Sequence, residues 1–109
     1  MVSSWSWALR TYRVELTDNA LEDLRELIDY YVEQELDYYA VKIIQKIYRR
    51  ISGLSVFPLG YNRYEGDPTA RYATIKHYYI FYDVSEQERK VTVLRVINQK
   101  RDLRAINLR

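Results

Sequence analysis

A chain of 109 residues, 48% of them hydrophobic, suits one domain and leaves no room for two. It has no cysteine and a single histidine, His77, which excludes disulfides and thiolate metal sites and argues against a metal centre of the usual kind. The net charge is only +2, a near-neutral total that hides an uneven distribution, and no apolar run approaches the length of a membrane span.

The opening MVSSWSWALR lacks the basic start, long apolar stretch and small-residue site of a signal peptide. Trp5, Trp7 and Leu9 alternate, a pattern that fits either an extension of the first strand or a flexible leader over residues 1–10. Tyr12, Val14 and Leu16 then point one way, and Arg13 and Glu15 the other, which predicts a half-buried strand. Thr17 or Asp18 is placed to cap a first helix over 19–34, with Ala20, Leu24, Leu27, Ile28 and Tyr31 on one face. After a short link, Asp37 is expected to cap a second helix reaching Leu54, with Ala40, Ile43, Ile44, Ile47, Ile51 and Leu54 as its stripe. The shortness of the link makes the helices antiparallel.

Phe57-Pro58-Leu59-Gly60 stops the second helix, and residues 60–69 read as a loop rich in Gly, Asn, Asp and Pro. Three strands follow, near 71–76, 78–84 and 90–97, with a tight turn or bulge at His77 and a hairpin loop at 85–89. The predicted fold class is α+β in the order β-α-α-β-β-β. A helical hairpin would pack on one face of a mostly antiparallel four-stranded sheet, in a single domain over residues 1–109. The other face would carry residues such as Tyr72, Thr74, Lys76, Tyr79, Phe81 or Arg95, and would be exposed.

Charge is uneven along the chain. Eight acids and one base, Arg25, occupy residues 18–37, while residues 38–57 hold only the bases Lys42, Lys46, Arg49 and Arg50. The simple expectation is two solvated helix faces that attract each other. Arg95, Lys100, Arg101 and Arg104 make the C-terminal region basic again.

YRVELT before a helix with ALEDL, FPLG after the second helix, Arg71 opening a strand, YYIFYDV, and VTVLRVINQKRD occur in an order that resembles the RelE/ParE superfamily of type II toxin–antitoxin toxins. The resemblance implies a cytoplasmic bacterial toxin that arrests growth, serves plasmid stabilisation, and is neutralised by a cognate antitoxin. It also implies operator DNA as a partner through the antitoxin only, no cofactor, no metal and no membrane.

RelE-like members cut ribosome-bound mRNA without metal. Such cleavage needs a base for the 2′-hydroxyl, cations for the charged phosphorane and an acid for the leaving oxygen. The residues available for it are Arg71, Lys76, His77, Tyr79 and Arg101, with His77 the side chain suited to moving protons near neutral pH. ParE-like members instead inhibit DNA gyrase, and there the target-binding candidates are Arg95, Lys100, Arg101 and Arg104. Tyr79 stands where RelE-like nucleases usually place an arginine, and Asn107 near where some carry a catalytic tyrosine. The residues therefore favour the ParE-like branch and a protein that is not an enzyme. The alternatives are the RelE-like endoribonuclease and an inactive homologue that only binds antitoxin.

Overall fold

The structure is a computed structural model and describes residues 11–109, so the Trp5–Trp7 segment lies outside the described residues. Strand β1 (Arg13–Leu16) is followed by helices α1 (Asp18–Glu33) and α2 (Asp37–Gly53) and a short 3-10 turn at Pro58–Gly60. Strands β2 (Arg63–Tyr64), β3 (Asp67–Ile75), β4 (Tyr78–Ser85) and β5 (Lys90–Asn98) complete a five-stranded sheet in the order β1-β5-β4-β3-β2. β1 runs parallel to β5, and the other pairs are antiparallel.

The expected fold class and element order hold, with a correction of the strand count from four to five. The extra strand comes from the segment read as a loop, where Arg63 pairs with Arg71 and Tyr64 with Asp67. Gly, Pro and Asn cluster there because the hairpin is short and turns sharply. Gly66 sits under the Tyr64 ring, whose atoms would lie 2.6 Å from an added Cβ.

Thr17 caps α1: its Oγ1 accepts the Ala20 N–H at 3.1 Å while its hydroxyl donates to the Leu94 carbonyl at 2.9 Å. The helix ends with Glu35 at a φ of 59°. Asp37 does not cap α2. Leu36 holds the cap position without a side-chain bond, and Asp37 lies in the first turn, where its charge still suits the helix dipole.

Ala20, Leu24 and Leu27 of α1, and Ala40, Ile43, Ile47 and Ile51 of α2, are buried on one sheet face. They meet Tyr78, Ile80 and Tyr82 of β4 and Val91, Val93 and Val96 of β5. Each buried Leu, Ile or Val contributes about 1.5–3 kcal/mol before conformational entropy is counted, and each buried Ala less. Ile28, expected on the stripe, is 37% exposed. The Tyr82 hydroxyl reaches through this core to the Pro58 carbonyl at 2.6 Å, and burial pushes its pKa well above the usual tyrosine range.

The opposite face, expected from the sequence to be exposed, is instead covered in part. The tail after β5 crosses it, and Leu103, Ile106 and Leu108 pack on Phe81, Leu94, Ile97 and Ala70. Arg109 pins the tail, donating to Asp83 at 2.7 Å and to the Thr69 hydroxyl at 2.7 Å, with Asp67 at 3.5 Å. The two oppositely charged helices are not joined directly: among the described residues no ion pair links α1 to α2.

The turn between β3 and β4 is two residues long, since Ile75 pairs with Tyr78. Lys76 there takes a φ of 54°, a left-handed conformation that costs a non-glycine residue about 1 kcal/mol. Lys76→Gly is expected to raise stability by about 0.5–1 kcal/mol after allowing for glycine's extra freedom in the unfolded chain. A urea midpoint that rises at unchanged m-value checks it.

Candidate functional site

β5 is longer than its neighbour. β1 pairs only with Lys90–Val93, which leaves the edge of β5 without a strand from Leu94 onward. α1 covers the start of that edge. The Thr17 N–H donates to the Val93 carbonyl at 3.0 Å. The Asp23 carboxylate then accepts the Val96 N–H at 2.9 Å and two donors of Arg95, Nε at 2.8 Å and Nη2 at 2.9 Å.

Arg95 also donates Nη1 to the Asn107 carbonyl at 2.8 Å. A bulge places it there. Phe81 pairs with Arg95 and Tyr82 with Val93, so Leu94 is the extra residue. Arg95 thereby leaves the helix-covered face of Val91 and Val93, stands opposite Phe81, and reaches Asp23 around the edge of β5 that has no strand beside it. The Asp23 hydrogen bonds are the main cause that raises the Arg95 pKa above its usual value. The side chains of Arg95 and Asp23 are 17% and 7% exposed, so this pair is held largely away from water.

Beyond it opens a cleft of about 580 Å³. α1 supplies Asp23, Glu26, Leu27, Tyr30 and Tyr31 as one wall. His77, Tyr78, Val96 and Asn98 form the floor and far side, and Lys100 and Arg101 stand at the mouth. The Tyr31 and Tyr78 hydroxyls are 3.1 Å apart across it. Burial, then the Tyr78 contact, pushes the Tyr31 hydroxyl up to about 12, so it stays protonated at physiological pH. Asn98 shapes the exit of β5: its Oδ1 accepts the Lys100 N–H at 2.8 Å, and its carbonyl accepts the Arg101 N–H at 3.0 Å. Both cations are therefore presented on a fixed turn.

The structure brings together His77, Lys100 and Arg101 and leaves the other candidates elsewhere. Lys76 is exposed in the turn beside His77. Arg104 points into solvent with Asp102, its side chain 92% exposed. Arg71 donates to the Tyr61 carbonyl at 2.7 Å and pairs with Tyr82 in the middle of β3, whose far end at Ile75 leads into the His77 turn. Tyr79 lies on the tail-covered face, edge-on to Tyr72 at 5.6 Å between centroids and tilted against Phe81 at 5.5 Å, while its neighbour Tyr78 faces the helices. Among the described residues no group of acids and histidines is arranged to hold a metal ion.

The sequence reading missed Asp23 and Glu26 as cleft residues. Asp23 had a signal: it follows Ala20 by three, on the buried stripe, where a carboxylate requires a partner. Tyr30 had none, because an exposed helical tyrosine gives no indication of what faces it.

Two antiparallel helices on a mixed sheet, closed by a C-terminal segment that carries paired basic residues, define the small α+β toxin fold. Residues 14–103 match the family described as "ParE toxin of type II toxin-antitoxin system, parDE". The chain belongs to this family. Several solved structures share the fold, three of which follow. The chromosomal ParDE toxin–antitoxin system of P. aeruginosa matches with a TM-score of 0.71 at 23% identity, over 82% of this chain and 97% of that one. The free E. coli toxin RelE, as a double arginine-to-alanine mutant, matches with a TM-score of 0.61 at 16% identity, over 83% and 85%. The toxin–antitoxin complex RelBE2 of Mycobacterium tuberculosis matches with a TM-score of 0.54 at 22% identity, over 81% and 91%. A comparison with curated proteins gives no match. No helix among the described residues is long and apolar enough to cross a membrane.

Proposed function

We propose that this toxin arrests growth by binding DNA gyrase through the basic mouth of the α1–β5 cleft, and that a cognate antitoxin neutralises it. The observation that carries this reading is the separation of the groups an RNA-cutting site would need. Of those groups only His77 and Arg101 line the cleft, with Lys76 in the turn beside it, while Arg71 is tied to Tyr61 and Tyr79 packs edge-on to Tyr72 on the opposite sheet face. Phosphoryl transfer requires its base, acid and cations within hydrogen-bond reach of one phosphate. Lys100 and Arg101 beside Tyr30 and Leu27 instead offer charge around an apolar wall, the composition of a protein-binding hot spot. Arg95 serves this site as a positioning residue, since its guanidinium is committed to Asp23.

Two of the similar structures are described as a toxin–antitoxin system and a toxin–antitoxin complex, which supports an antitoxin as partner here. The reading takes that antitoxin to be a small acidic protein encoded beside this chain, carrying the operator-DNA contacts, with both proteins in the cytoplasm.

Purified protein added to a gyrase supercoiling reaction is expected to inhibit it, and added to translating ribosomes is expected to leave the message intact. Cleaved message with normal supercoiling would establish the RNA-cutting reading instead. Normal growth of cells that express the soluble chain would point to an inactive antitoxin-binding homologue.

A further inference from the structure

A second cluster lies away from the cleft described above. Lys46, Arg49 and Arg50 of α2 surround a concavity of about 360 Å³, completed by Gly53, Tyr61 and Ile75. No carboxylate lines it. Among the described residues, none of the three bases takes part in an ion pair. That is unlike the α1–β5 cleft, where Asp23 and Glu26 offset the cations. The bases follow one another at i, i+3 and i+4, so they form one stripe with about 6 Å along the axis between Lys46 and Arg50.

Tyr61 closes the site and is fixed from both ends. Its hydroxyl accepts from Arg50 at 3.2 Å and its carbonyl from Arg71 at 2.7 Å. Its ring stands edge-on to Tyr82, with centroids 6.4 Å apart at 88°. Among the described residues Tyr61 is the one aromatic of the site, and the site's charge comes from the three bases alone.

We infer that this stripe is a direct contact surface for the phosphodiester backbone of duplex DNA. It needs no base readout: guanidinium forks and an ammonium meet phosphate oxygens, and the attraction is independent of sequence. The inference goes beyond the gyrase reading and amends the expectation that DNA is reached through the antitoxin only.

Fluorescence anisotropy of the full chain with a labelled random duplex of about 20 base pairs tests it, over roughly 50–200 mM salt. Binding is expected to weaken with salt at a logarithmic slope of about −3, one counterion for each cation. Gly53→Glu places a carboxylate in the concavity, and nothing beyond its own chain neighbours and helix backbone lies within 4 Å of the added Cβ, so the fold tolerates it. It should lower affinity about tenfold and flatten the slope by about one, while Gly53→Ala binds like the parent. Lys46→Glu, with folding checked by circular dichroism, should act in the same direction. The inference is overturned if the parent does not bind duplex at about 50 mM salt, or if Gly53→Glu leaves binding unchanged. It is equally overturned if Lys100→Ala with Arg101→Ala removes binding, or if single-stranded RNA is bound in preference.

Discussion

Asp23→Ala is expected to cost about 3 kcal/mol, the largest single-residue loss outside the aliphatic core. The substitution leaves the Arg95 guanidinium without its bidentate partner and the Val96 N–H without its acceptor, at a position where the Asp23 side chain is only 7% exposed. An uncompensated charge and an unmet backbone donor both carry desolvation penalties. The Asn107 carbonyl and partial exposure of Arg95 limit the loss to the lower end of the range for buried pairs. Asp23→Leu with Arg95→Met should recover most of the stability, because it removes both charges and keeps the volume. Urea denaturation of the single and double variants measures this, and a double variant no better than Asp23→Ala would show that the pair contributes net attraction.

Lys100→Ala together with Arg101→Ala is expected to abolish growth arrest while leaving the fold intact. Both side chains are exposed, and the turn that presents them is held through backbone N–H groups bonded to Asn98, which the substitutions keep. Removing two interface cations should cost about 2 kcal/mol or more of target binding, roughly thirtyfold in affinity. Colony formation under induced expression reads the effect, with antitoxin-independent solubility and an unchanged thermal midpoint as controls. Continued arrest by the soluble double variant would move the active surface elsewhere. His77→Ala separates the branches further. It is expected to leave supercoiling inhibition largely intact, whereas an RNA-cutting site would lose its proton-transfer group.

Much of the fold was legible because it rests on local periodicity. The stripes Ala20–Leu24–Leu27 and Ala40–Ile43–Ile47–Ile51 announce the two buried helix faces, and the alternation Tyr78–Ile80–Tyr82 announces the covered face of β4. The β2 strand was missed because two residues carry no period and turn-forming neighbours hid them. The tail-covered face was missed for another reason. Leu103, Ile106 and Leu108 have neither helical nor strand spacing, and their burial depends on Arg109 reaching Asp83 and Asp67 across the sheet.

The candidate site divides along the same line. Basic residues near the C-terminus could be counted, but their separation into a paired Arg95, a presented Lys100 and Arg101, and a solvated Arg104 could not.

The sequence by itself determined the element order, the helical hairpin and most of its buried face, and the supply of cations, since each depends on residues within a turn or two of one another. Only the tertiary structure decided which cations are free and which are spent. An ion pair such as Arg95–Asp23 joins residues 72 positions apart, and its existence depends on how far β5 outruns β1 and on where the bulge at Leu94 turns the strand. Those are consequences of register, which no local pattern records.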